Sequence, residues 1–284
     1  MTTIVGLIMV TLSVLGGYTL HGGHLGLLFQ PTEFMIIGGA AFSSVIMASS
    51  SATIKDMVRM LGGTVKGKNI SKEQYMDVLM LLFELVKTAK ANPLSIEAHV
   101  ENPDSSDIFN RYPSVLNNHH VIEFLCDTLK VQISSPMTPY DLEELMDKDI
   151  ETVHKSENTA IATVQRMGDA LPGLGIVAAV LGIVITMGKL SQGKEVIGHS
   201  VAAALVGTFL GVLLAYGFVQ PIAAKMENNM EDEANIFQVV KNGLIAYAKD
   251  TSPKVCVEFA RRTIPPHARP SFDEVDEATS NLKK

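Results

Sequence analysis

The chain has 284 residues, of which 47% are hydrophobic and 19% charged, and its formal net charge is −7. The apolar residues gather into four uncharged stretches near 3–20, 34–54, 171–188 and 200–224, each long enough to cross a bilayer core, which sets aside a single soluble domain. The negative charge lies between and after these stretches and no dense Lys/Arg patch occurs, so no nucleic-acid partner is expected.

The first stretch has no basic run before it and no small-residue cleavage site, and reads as a retained helix with Tyr18 at the interface. The link 21–33 carries no Lys or Arg. The second stretch contains Gly38, Gly39, Ala40 and Ala41, small residues that let helix backbones approach in lipid. From Lys55 to Arg166 the chain is polar and rich in Lys and Arg. The loop 189–199 holds only Lys189 and Lys194, and the segment after Ala224 is polar again. The positive-inside rule places both polar regions and both termini in the cytoplasm. The expected fold is an all-α membrane protein with four transmembrane helices and a large helical cytoplasmic insert between helices 2 and 3. Its parts are 1–54 (transmembrane helices 1 and 2), 55–170 (cytoplasmic), 171–224 (transmembrane helices 3 and 4) and 225–284 (cytoplasmic helices and tail).

Within the insert, Tyr75, Val78, Leu79, Leu82, Leu85, Val86 and Ala89 recur at helical spacing. Breaks are expected at Pro93, Asn102-Pro103 and Ser135-Pro136, with an apolar-periodic stretch over 114–133. Thr138 caps a new helix with Pro139 at its first position and Asp141 three residues past the cap. No strong stop precedes Pro172, so this helix is expected to run into the third span as a stiff rod. After the fourth span, Ile236, Val239, Val240, Leu244 and Tyr247 share one face of a helix over 225–250. A short helix starts at Ser252-Pro253 and ends near Arg262, and the residues from Pro265 onward are expected to be largely disordered. Cys126 and Cys256 read as reduced structural thiols.

The usual enzyme motifs (GxGxxG, P-loop, GxSxG, HExxH) are absent. His119-His120 and His154 with Glu157 are read as a solvated helix face. In the fourth span Ala203, Gly207, Gly211 and Ala215 repeat every four residues and make a nearly smooth face, which serves helix packing and also permits sliding past a central element. Thr208 and Thr186 are among the few mid-span hydroxyls. Each either bonds the carbonyl one turn back or faces a water-lined path. Pro172 and Pro221 each remove a helical hydrogen bond and should kink or end the helix. Intramembrane ion transfer calls for a buried titratable group. None of the four stretches contains one, so the acid is expected from a partner polypeptide.

The motifs Pro172-Gly173-Leu174-Gly175-Ile176-Val177 with Gly182, Leu205-Val206-Gly207-Thr208-Phe209-Leu210-Gly211 with Tyr216-Gly217 and Pro221, Ser95-Ile96-Glu97 leading to Glu101-Asn102-Pro103, and Arg269-Pro270-Ser271-Phe272 resemble the MotA-type stator subunits of the bacterial flagellar motor. That family is related to the ExbB and TolQ proteins. The resemblance covers nearly the whole chain. It implies a multi-pass inner-membrane protein without a cofactor, forming a pentamer around two copies of a MotB-type partner whose transmembrane aspartate carries the ion. It further implies that Pro172 and Pro221 couple ion passage to movement, and that Thr208 and Tyr216 belong to the ion path. Sodium-driven relatives carry a threonine where this chain has Ala179, which removes an oxygen ligand and implies proton drive. The cytoplasmic part would meet the rotor protein FliG through Glu97 and through Lys87 or Lys90, since Ala89 stands where the family's arginine falls. Two rival readings remain. An ExbB/TolQ-like proton-driven energiser of an envelope protein would have three spans and a cytoplasmic 21–33 link. A secondary transporter would act alone.

Overall fold

The computed structural model describes residues 2–66, 70–189, 191 and 193–282. Among them the regular structure is helical throughout, with no strand. The chain forms two compact units, residues 1–68 with 155–229 and residues 69–154 with 230–284.

The first unit holds α1 (Thr2–Leu20), the short α2 (Leu25–Leu28), α3 (Pro31–Ala48) and α4 (Ser51–Lys66). It also holds the C-terminal part of α9 (Pro139–Met187), α10 (Lys194–Val212), a π-helical turn Leu213–Val219, and the start of α11 (Gln220–Ala248). Among the described residues four helices are long and apolar enough to cross a membrane: Thr2–Leu20, Leu25–Ala48, Pro139–Met187 and Lys194–Ala248. The second of these begins well before the expected 34, and it stops near Ala48 instead of 54. Ser50 ends it by offering its side-chain oxygen to the Thr53 amide at the head of α4.

α3 buries Glu33, Ile37, Ala41 and Val45, one residue per turn. Gly38 and Gly39 face open space, so in this subunit the expected close helix approach is made on the other side of α3. α1 buries nothing. Its exposed Ile4, Val5, Ile8, Met9 and Leu12 suit lipid or another polypeptide. α9 runs through Pro172 without ending. Before Pro221 the helix widens into the π-helical turn, a local adjustment that re-satisfies carbonyls a proline leaves without donors. Neither proline ends its helix; the backbone absorbs the missing donor instead.

The second unit is built around α5 (Lys72–Ala91), whose residues from Val78 to Val86 are buried on every side. All seven apolar positions read from its spacing are in the core. A reciprocal Ser71–Gln74 capping box starts it. A 3-10 turn over Pro93–Ile96 and α6 (Glu97–Glu101) follow. The expected helix over 114–133 is two helices, α7 (Pro113–Leu116) and α8 (His119–Ser134), because Asn118 caps α8 by accepting from the Val121 amide. The Thr138 cap on α9 is formed, with the Asp141 amide donating to its hydroxyl at 3.2 Å. Ile236, Val239, Val240 and Leu244 of α11 join this core. Cys126 and Cys256 are free and buried, and burial pushes the Cys126 thiol up to about 12, which makes it a packing residue and not a nucleophile.

The C-terminal segment is ordered, contrary to expectation. After α12 (Pro253–Thr263) the chain turns, and α13 (Phe272–Asn281) forms under a Ser271–Glu274 capping box. Ile264, Ala268 and Val275 pack into the core. Arg269 donates to the carbonyls of Ile264 and Arg262, and Arg261 donates to that of Pro270. The composition alone looked disordered. The local hydrogen bonds and a few apolar anchors outweigh it.

Hydrogen bonding from Lys72 holds the Glu274 carboxyl at about 2, and bonds from Arg261 hold Glu258 at about 2, both below the ordinary 4.5. A depressed carboxylate adds stability that is complete above about 4.5 and disappears as pH falls through about 2. Amide hydrogen exchange in α12 and α13 should therefore accelerate across that window more than exchange in α5. Equal acceleration in all three would show that these pairs do not hold the tail.

Candidate ion-path site

The first unit centres on an antiparallel hairpin of α9 and α10 in which backbone meets backbone. A Cβ placed on Gly175 would stand 2.8 Å from the Gly207 carbonyl and 3.0 Å from the Gly211 Cα. One on Gly211 would stand 2.6 Å from the Leu171 carbonyl, and one on Gly182 would stand 2.7 Å from the Ala204 Cβ. Only glycine fits such approaches. Gly175, Gly182, Gly207 and Gly211 therefore all lie in one seam. Ala215 is fully buried. Ala203 is half-buried, and its neighbour Ala204 makes the contact to Gly182.

Ala179 is buried in this seam, its amide 3.2 Å from where a Gly207 Cβ would lie. Thr208 is half-buried one residue along. It stands three and four residues from exposed Leu205 and Val212, and the same face reaches Tyr216, which is 60% exposed. Thr186 donates to the Gly182 carbonyl at 2.8 Å, the local bond expected of a membrane threonine. Thr208 makes no such bond among the described residues. Pro172 is half-buried and Pro221 exposed. Gln220 donates to Asp169 at 2.9 Å, which ties the two proline-bearing turns together at one end of the hairpin.

The first unit does contain a buried carboxylate. Glu33, read from the sequence as the last residue of a loop, lies in the first turn of α3 at 7% exposure, and its Oε2 has no hydrogen-bond partner among the described residues. A Cβ on Gly207 would come within 2.7 Å of that oxygen. The elimination that required an acid from elsewhere therefore does not close. One sequence signal was available: the buried spacing 45, 41, 37 extends by one more turn to 33.

The charges expected to face a rotor are all in the second unit. Glu97 opens α6, exposed and without an ion pair among the described residues. Lys90 is bound within the chain, 2.7 Å from the Asp250 carboxylate and 2.9 Å from its carbonyl. This bond holds Asp250, the left-handed residue at φ 57° that ends α11, and lowers its carboxyl. Lys87 reaches the Leu282 carbonyl at 3.4 Å.

Two family models match the chain. "Motility protein A N-terminal" covers residues 4–93, and the "MotA/TolQ/ExbB proton channel family" covers 117–239. Motility protein A of Salmonella typhimurium is 38% identical over 98% of this chain and 94% of its own length. The Escherichia coli protein of that name is 38% identical over 100% of this chain and 96% of its own. Chemotaxis protein LafT of Vibrio parahaemolyticus is 34% identical over 97% of each. The fold matches the solved MotAB of C. jejuni, with TM-score 0.78, 18% identity and coverage of 95% of this chain and 99% of that one. It also matches the flagellar MotAB stator complex of Bacillus subtilis, with TM-score 0.75, 21% identity and coverage of 99% and 98%. By sequence kept along its whole length, by four membrane-crossing helices and by the glycine seam between the last two, the chain belongs to the motility protein A family.

Proposed function

We propose that this chain is a flagellar stator subunit of the inner membrane that, with a MotB-type partner, forms a proton path and converts proton-motive force into torque on the rotor. The observation that carries this reading is the hairpin itself: a close glycine seam whose own two helices carry no charged residue there, with Thr208 half-buried beside it and paired prolines at one end. The partner would supply the transmembrane aspartate, as the MotAB composition of the solved neighbours supports. A ring of five subunits around a partner dimer, with both termini cytoplasmic, completes the assembly.

Pro172, Ala179, Thr208, Tyr216 and Pro221 would line and couple the path. Glu97, the free charge of the three, would meet FliG, and Lys90 and Lys87 would act from positions already braced by the tail. Torque needs positioning and charge transfer, with no covalent chemistry, so no enzymatic activity is assigned. One proton falling through about 100 mV releases about 2.3 kcal/mol, enough to shift a two-state helix arrangement roughly fiftyfold. Four membrane-crossing helices favour this reading over a three-span energiser of the ExbB/TolQ kind.

Pro172→Ala should abolish swimming in a strain lacking the native chain while the membrane level of the protein is unchanged. Intact swimming would remove the coupling role of Pro172. Co-purification with the partner and counting of subunits tests the assembly, and proton conduction by the chain alone in liposomes would overturn it.

A further inference from the structure

Glu33 is the one Asp, Glu, Lys, Arg or His in α3, and none occurs in α1, in α2, in α9 from Ala170 to Met187 or in α10 after His199. Its Oε2 lies against the Gly207 backbone: a Cβ there would stand 2.7 Å from that oxygen and 3.2 Å from the Ala178 Cβ and the Ala179 amide. The titratable groups that flank these elements are His24, which immediately precedes α2, and His199 in the first turns of α10. Gly207 lies two turns, about 12 Å, beyond His199 and about 21 Å short of Pro221, so the carboxylate sits toward the loop end of the hairpin. It does not serve as a helix cap for Gln30. A carboxylate oxygen held out of water without a partner among the described residues is expensive, and in a membrane such a group is a functional site by default. A metal cation would need several oxygens, and the glycine and alanine side chains beside Oε2 carry none, whereas a proton needs only one.

We propose that Glu33 is a proton-binding site of this chain itself, an acid on the outward half of the path that takes up protons before they reach the partner's carboxylate. The second clause rests on the proton-path reading above; proton binding at Glu33 does not. In the step, an O–H bond forms at Oε2 as one breaks in hydronium arriving from the loop side. The proton later leaves to the next acceptor inward, and the carboxylate is restored. Each of five subunits would bring one such acid, so the path would hold more titratable groups than the partner supplies.

The test uses the complex of this chain and its partner in lipid. Infrared difference spectra are recorded between alkaline and acidic buffer for the native chain, Glu33→Gln and Glu33→Asp, alongside swimming of cells complemented with each. The expected result is a protonated-carboxyl band that is lost in Glu33→Gln and displaced in Glu33→Asp, with swimming lost in Glu33→Gln and kept in part in Glu33→Asp. An unchanged band in Glu33→Gln overturns the proton site. Loss of the band with full swimming overturns its place on the path. Should Glu33→Gln fail to accumulate in the membrane, an unmoved band in Glu33→Asp overturns the proposal equally. If the native chain itself does not restore swimming, the stator reading fails while the infrared result still decides whether Glu33 binds protons.

Discussion

Gly211→Val should separate the central hairpin and abolish swimming. A Cβ at this position would lie 2.6 Å from the Leu171 carbonyl and 2.9 Å from the Gly175 Cα. Both obstacles are backbone, so no side-chain rotation relieves them. The helices must move apart along the whole seam, giving up contacts from Leu171 to Ala204. Overpacking costs about 1–3 kcal/mol even where flexible side chains can yield, and here the cost should reach the upper part of that range. Thermal unfolding of the purified protein in detergent should show the loss as a lower midpoint. Gly173→Ala is the control, since nothing lies within 4 Å of its Cβ direction. It should be neutral or stabilising by up to about 1 kcal/mol, because alanine is the better helix former. Equal midpoints for Gly211→Val and Gly173→Ala would show that the seam is not closed as described.

The second large effect is expected at Glu84 on α5. This carboxylate is 9% exposed, accepts from the Tyr112 hydroxyl at 2.5 Å, and pairs with the Arg111 guanidinium at 2.6 Å. Burial and the adjacent carboxylate both push the Tyr112 phenol above its ordinary range, so it remains a donor at any physiological pH. Glu84→Ala strands the buried Tyr112 hydroxyl and leaves a cavity beside it. The loss should be about 2–4 kcal/mol. Tyr112→Phe leaves the Arg111 pair intact and should cost only about 1 kcal/mol. In the double variant the losses should fall short of additive, since the two residues share one bond. Strict additivity in the unfolding midpoints would mean the bond carries no stability of its own.

The resemblance to stator subunits rested on short motifs, and the full-length relatives bear it out. The helical periodicity of α5 was read correctly because its buried face follows from spacing alone. The same was true of the Thr138 cap, whose partner is three residues away. The ordered tail was legible too, in the Ser271–Glu274 spacing, but low hydrophobicity hid it. Lys90 looked like an available surface cation, and its partner Asp250 is too distant in sequence to be inferred.

What the sequence determined by itself is therefore what depends on near neighbours and on solvent: which stretches are uncharged enough for lipid, where helices begin, and which stripe of each is small or apolar. The tertiary structure alone decided which stripes meet and how deep each residue sits. Ala204 instead of Ala203 meets Gly182, and Glu33 is drawn from an apparent loop to the side of Gly207. Depth is set by how closely neighbouring helices approach, and that distance is fixed by pairs of residues far apart in the chain.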